Sequence, residues 1–87
     1  MPVFKKKITV MSKQGLHARP AALFVQVANK FDSQITVSRE SEKVDGKSIM
    51  GILMLGAEEG SVIYLEAEGD DAQQAILELE KVIVKEE

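Results

Sequence analysis

The stretch GLHARPAALFVQVANKF, residues 15–31, decides how the rest of the chain is read. Phe24, Val27, Ala28 and Phe31 fall at i, i+3, i+4 and i+7, which is one apolar stripe of an amphipathic helix. Pro20 suits the first turn, where a missing N–H costs nothing. A helix is therefore expected to start near His17 and Ala18 and to end near Lys30.

The flanking segments have a different period. Phe4 to Val10 carries apolar residues at Phe4, Ile8 and Val10, a strand pattern broken at Lys6. Met11 to Leu16 reads as a loop containing Gly15. After the helix, Ile35 and Val37 alternate with Thr36 and Ser38, a second strand. Val44 marks a weak third strand that stops at the turn signal Asp45-Gly46. Ser48 is placed to cap a short helix through Ile49, Met50, Ile52, Leu53 and Leu55, stopped by Gly56. Val62 to Glu68 is a fourth strand with Ile63, Leu65 and Ala67 on one face. Asp70 or Asp71 is expected to cap a last helix whose stripe is Ala72, Ala75, Ile76, Leu79, Val82 and Ile83.

The order is βαββαβα, and each helix has one apolar stripe. The simplest packing is an α+β open-faced sandwich: a four-stranded antiparallel sheet with three helices on one face. The other face would be open to solvent, which fits Thr9, Thr36 and Ser38. The 87 residues form one expected domain, 1–87, with no linker, repeat or low-complexity segment.

Composition narrows the function. A chain this short buries roughly 60% of the surface its unfolded form exposes, so a deep substrate cavity is not expected and function should sit on the surface. There is no cysteine and only one histidine, which excludes disulfides, thiolate metal sites and a multi-histidine zinc site. No metal and no cofactor are expected. The net charge of -3 argues against direct nucleic-acid binding. Lys5-Lys6-Lys7 reads as a solvated strand face or edge. The basic N-terminus has no apolar signal core behind it, and the longest apolar stretch, Ile49 to Ala57, is far short of the ~20 residues that span a bilayer. A cytoplasmic protein without membrane insertion, and a monomer, is expected.

His17 is the leading candidate for chemistry. A helix N-terminus offers unpaired N–H groups and a positive dipole end, which suit phosphate. Arg19 adds a permanent charge whose fork matches phosphate oxygens. An imidazole largely neutral near pH 7 is a nucleophile toward phosphorus. Gly15 lets the loop approach closely. The candidate phosphoryl-stabilising set is thus Arg19, Ala18 and Gly15. From these residues alone, a surface or N-cap histidine with no chemistry is the favoured reading, because a lone histidine beside one arginine is a weak signal. Hydrolytic catalysis fits less well, because no acid/base partner is evident in the local segment.

Gly15-Leu16-His17-Ala18-Arg19-Pro20-Ala21-Ala22 resembles the active-site signature of HPr, the histidine-containing phosphocarrier family of the bacterial phosphoenolpyruvate-dependent sugar phosphotransferase system. Lys47-Ser48-Ile49-Met50-Gly51-Ile52-Leu53-Met54-Leu55-Gly56 resembles that family's serine regulatory region. The likeness extends over nearly the whole chain, including element order. It implies that His17 is phosphorylated by enzyme I and passes the group to the IIA domains of sugar permeases, with Arg19 steadying it. One departure is Gln14, where many relatives carry a shorter Ser or Asn.

Ser48 has two readings. As an N-cap it satisfies a backbone N–H and needs no other role. The resemblance implies a second: a regulatory phosphoserine made by HPr kinase/phosphorylase, whose product serves a catabolite-control transcription regulator in carbon catabolite repression. The apolar residues that follow exceed what one helical face can bury, so some are exposed and suit docking. Leu16, Ile49, Met50 and Leu53 are the candidate docking residues. Three alternatives stay open: a signalling module read mainly through Ser48, as in the family's catabolite-repression paralogue that lacks the histidine; a nitrogen-regulatory paralogue of the carrier; and a small ligand-binding domain without phosphotransfer.

Overall fold

The computed structural model of the protein describes residues 2–84. Seven elements follow one another: β1 (Val3–Thr9), α1 (Ala18–Ala28), β2 (Gln34–Arg39), β3 (Glu42–Asp45), α2 (Ile49–Leu55), β4 (Val62–Glu68) and α3 (Ala72–Val84). The strands form one four-stranded sheet in the order β1-β4-β2-β3. All three pairings are antiparallel. This is the expected α+β open-faced sandwich.

Register explains which side chains go inside. Ile8 lies opposite Ile63, Ile35 opposite Ala67, and Val37 opposite both Leu65 and Val44. Because side chains alternate along a strand, these residues share the face covered by the helices. Phe24, Ile52, Leu55, Leu65 and Leu79 meet there, each fully buried or within a percent of it. The opposite face pairs Lys5 with Glu66, Lys7 with Tyr64, and Tyr64 with Ser38, a polar solvent-facing array. Thr9, Thr36 and Ser38 all lie on it.

Lys6 breaks the β1 pattern because it shares a face with Ile8 yet stands on an edge strand. Its Nζ reaches past the core to Glu80 Oε1 on α3 at 2.8 Å. Both groups are partly exposed, and such a pair contributes about 0–1 kcal/mol. No helix among the described residues is long and apolar enough to cross a membrane.

Two boundaries differ from expectation. β1 runs from Val3 to Thr9, one residue earlier than the periodicity suggests. α1 ends at Ala28, short of Lys30, because Asn29 caps it. The Asn29 amide side chain donates to Val25 O at 2.8 Å and to Lys47 O at 3.4 Å, competing with further helical turns.

The start of α3 holds a third difference. Asp71 precedes Ala72, as an N-cap should, but its carboxylate does not cap its own helix. It accepts the Asp32 N–H at 2.9 Å, the Ser33 N–H at 3.0 Å and the Ser33 hydroxyl. Asp71 thus fastens the turn between α1 and β2, and Ser33 is buried beneath it. These hydrogen bonds, the Ser33 hydroxyl first, hold the Asp71 carboxyl below its ordinary pKa. A depressed folded-state pKa means stabilisation that is present above the unfolded value of about 3.9 and lost as pH falls through the folded value. Asp71→Asn is therefore expected to lower the melting temperature at neutral pH, and the gap from the parent protein to shrink below about pH 4. Thermal melts of both proteins across pH 2–7 measure it; a gap independent of pH would contradict the charge-based account.

Candidate functional site

The site begins with a turn that delivers His17 to the head of α1. The Gly15 N–H donates to Ser12 O at 3.0 Å, and the Gln14 N–H to the Ser12 hydroxyl at 3.3 Å. The Leu16 N–H then donates to Ala57 O at 2.8 Å, tying the turn to the end of α2. Gly15 sits at φ +63°, in the left-handed region. A Cβ there would lie 2.4 Å from Ala57 O and 2.8 Å from Glu58 Cα. The close approach that glycine permits is therefore to the α2–β4 connection.

Two site expectations change accordingly. Gly15 is buried and its N–H is already engaged by Ser12 O, so its backbone donor serves the turn rather than being offered at the surface. Leu16 is fully buried in the core cluster that also holds Phe24, so it presents no surface for docking. A loop offers no period from which its inward-facing residue can be read, which is why the sequence left Leu16 among the surface candidates.

His17 is the N-cap of α1, with extended backbone (φ -123°, ψ 164°) and no side-chain capping hydrogen bond. It is half-buried, and no acidic residue stands in the first turn. The Ala21 N–H reaches back to His17 O at 3.4 Å. Pro20 has no N–H. The Ala18 and Arg19 N–H groups have no backbone partner among the described residues, so they and the dipole end are available to an anion. Arg19 is exposed and makes no ion pair among the described residues. Its side chain borders a shallow cavity with Ser12, Pro20, Leu23, Gln26 and Val82. Gln14 leaves α1 without a side-chain cap from upstream.

Ala18 has φ +48°, although it is not glycine. An L-residue in this region costs about 1–2 kcal/mol. The strain sits immediately after His17, at the point where the chain turns into the helix. Nothing in the residue pattern announced it.

Ser48 caps α2 as expected: its hydroxyl accepts the Gly51 N–H at 3.1 Å. Gly56 ends the helix in the left-handed conformation, φ 64°. α2 packs beside α1 in the opposite direction. Its head lies near Asn29, which holds Lys47 O, and its tail lies near Leu16, which holds Ala57 O. Lys47 reinforces the head end through Nζ to Phe31 O at 2.6 Å. Ser48 and His17 therefore stand at opposite ends of α2, about 10 Å or more apart for a helix of 7 residues.

Between them runs an apolar ridge. Ile52 and Leu55 are buried, whereas Ile49, Met50, Leu53 and Met54 are exposed. Met54 was absent from the expected docking residues. At i+4 from Met50 it shares that residue's face, a signal the sequence contained.

The chain matches the family model described as the PTS HPr component phosphorylation site over residues 4–85. It belongs to the HPr family of phosphocarrier proteins. HPr-like protein Crh from Halalkalibacterium halodurans is 49% identical over 82 residues, covering 94% of this chain and 98% of that relative. The crystal structure of phosphocarrier protein HPr from Bacillus anthracis superposes with a TM-score of 0.91 at 43% identity, covering 93% of this chain and 96% of that one. An HPr dimer from Thermoanaerobacter tengcongensis matches at 55% identity with a TM-score of 0.74, covering 90% of this chain and 92% of that one. Family members of this type thus include a dimer, and the expectation of a monomer gains no support.

Gly15→Ala tests the turn. The left-handed backbone and the clash with Ala57 O should together cost about 2 kcal/mol or more. A denaturant titration measures the loss; a change below about 0.5 kcal/mol would mean that the turn rearranges freely.

Proposed function

We propose that His17 accepts a phosphoryl group from phospho-enzyme I and hands it to the IIA domains of sugar permeases. The observation that carries this reading is His17 at the head of α1, with the Ala18 and Arg19 N–H groups unpartnered beside it. The imidazole attacks phosphorus, and a P–N bond forms as the bond to the donor's leaving group breaks. The developing negative charge faces the helix dipole, two backbone donors and the exposed guanidinium of Arg19. None of these encloses the group, so the next acceptor reaches phosphorus from solvent. The protein acts in the cytoplasm in this reading, where donor and acceptors meet.

His17→Ala should abolish phosphoryl acceptance from enzyme I and phosphoenolpyruvate. Stability should change by no more than ~0.5 kcal/mol, since the ring makes no capping bond. Circular dichroism and acid lability of the incorporated phosphate are measured together. Undiminished acid-labile labelling of the variant would overturn the assignment.

A second reading makes the chain mainly a Ser48-phosphorylated signal in catabolite repression, made by HPr kinase/phosphorylase and read by a transcription regulator. The likeness to HPr-like protein Crh favours it. The presence of His17 weighs against it as the sole role. The two readings meet on α2. A phosphate on Ser48 carries about -1.5 to -2 charges. At about 10 Å or more from His17 it lies beyond the Debye length of roughly 8 Å at physiological salt, so its direct field on the imidazole is largely screened. In this reading its effect comes through a partner docking on the exposed Ile49, Met50 and Leu53.

Ser48→Asp separates these effects. Aspartate is as good an N-cap as serine and favours the helix dipole, so the melting temperature should hold or rise. Affinity for enzyme I should fall by about tenfold, because a charge at the ridge end is desolvated on docking. Unchanged affinity would place Ser48 outside the interface; a large drop in melting temperature would leave the residue as a plain cap.

A further inference from the structure

The ridge on α2 contains a chemical asymmetry that docking alone does not use. Met50 and Met54 are 63% and 69% exposed, the two most exposed large apolar side chains among the described residues. They stand one helical turn apart on the outer face of α2. Ile49 and Leu53, less exposed, share the ridge and are inert to mild oxidants. Ile52 and Leu55, which hold the helix to the core, have no sulfur. Thus the outward surface is oxidisable while the packing surface is not.

We propose that Met50 and Met54 form an oxidant-sensitive modification site whose conversion to sulfoxides weakens enzyme I docking and so slows phosphoryl uptake at His17. The inference rests on the docking reading of α2. The oxidant is a peroxide such as hydrogen peroxide. A thioether lone pair takes the terminal oxygen, the O–O bond breaks, and the proton shifts to the departing hydroxide to leave water. Sulfur is oxidised by two electrons and peroxide is reduced by two. A sulfoxide is polar and a strong hydrogen-bond acceptor, and an apolar interface must strip its water without returning a donor. In the free protein the same group stays hydrated, so the fold tolerates it. Methionine sulfoxide reductases reverse the change, and the site therefore resets.

Hydrogen peroxide is added to the full chain, and the product is followed by peptide mass spectrometry, thermal melt and binding to purified enzyme I. Met50 and Met54 should gain oxygen before Met11, which is 42% exposed and lies off α2. The melting temperature should stay unchanged, and Kd for enzyme I should rise by about fivefold or more. The double variant Met50→Leu/Met54→Leu should keep its affinity through the same treatment. Full affinity in the oxidised protein, or an equal loss in the double variant, overturns the proposal. An unoxidised Met50→Lys variant separates the layers. If it binds like the parent, the docking reading fails and the proposal with it. If it binds weakly while the sulfoxide form binds normally, the proposal alone fails.

Discussion

The hydrogen bond from the Leu16 N–H to Ala57 O, 2.8 Å long, joins the two halves of the site. It ties the turn before α1 to the connection after α2. Gly15 makes the bond possible, because only a residue without Cβ fits against Ala57 and Glu58. Leu16 then drops into the core and anchors the backbone from the other side. His17 follows with its position decided before its own side chain makes any contact. A chain of this size has little interior with which to hold a surface residue, and backbone anchoring supplies the order that a cavity would supply elsewhere.

Much of the architecture was legible because periodicity is a local signal. The stripe from Phe24 to Phe31 and the alternation in Ile63, Leu65 and Ala67 each identify one element without knowledge of the others. Capping was legible at Ser48 and Gly56 for the same reason. Asp71 was not, because its partners Asp32 and Ser33 lie across the fold and the residue pattern next to α3 is equally consistent with a cap. Ala18 at positive φ was hidden too. Its strain comes from fitting the turn at Gly15 to the start of α1, a condition no single residue type expresses.

Within the site, the legible part was chemistry and the hidden part was direction. A histidine, an arginine and a serine at helix starts announce what they can do. Whether Leu16 faces in or out depends on how the turn before α1 lies against the end of α2. The antiparallel packing of α1 and α2 supplies that information. It puts the serine and the histidine at opposite ends of α2 and lays the exposed apolar ridge between them.

Gly51 determines how high that ridge stands. A Cβ on it would lie 3.2 Å from both Asp45 O and Val44 Cβ, tighter than ordinary contact, so α2 rests directly on β3 through bare backbone. The elevation of the helix above the sheet is thus set by a missing side chain on its inner surface. The residues on its outer surface have no part in that setting. Met50 and Met54, the most exposed residues of the ridge, are therefore open to change without shifting the platform beneath them.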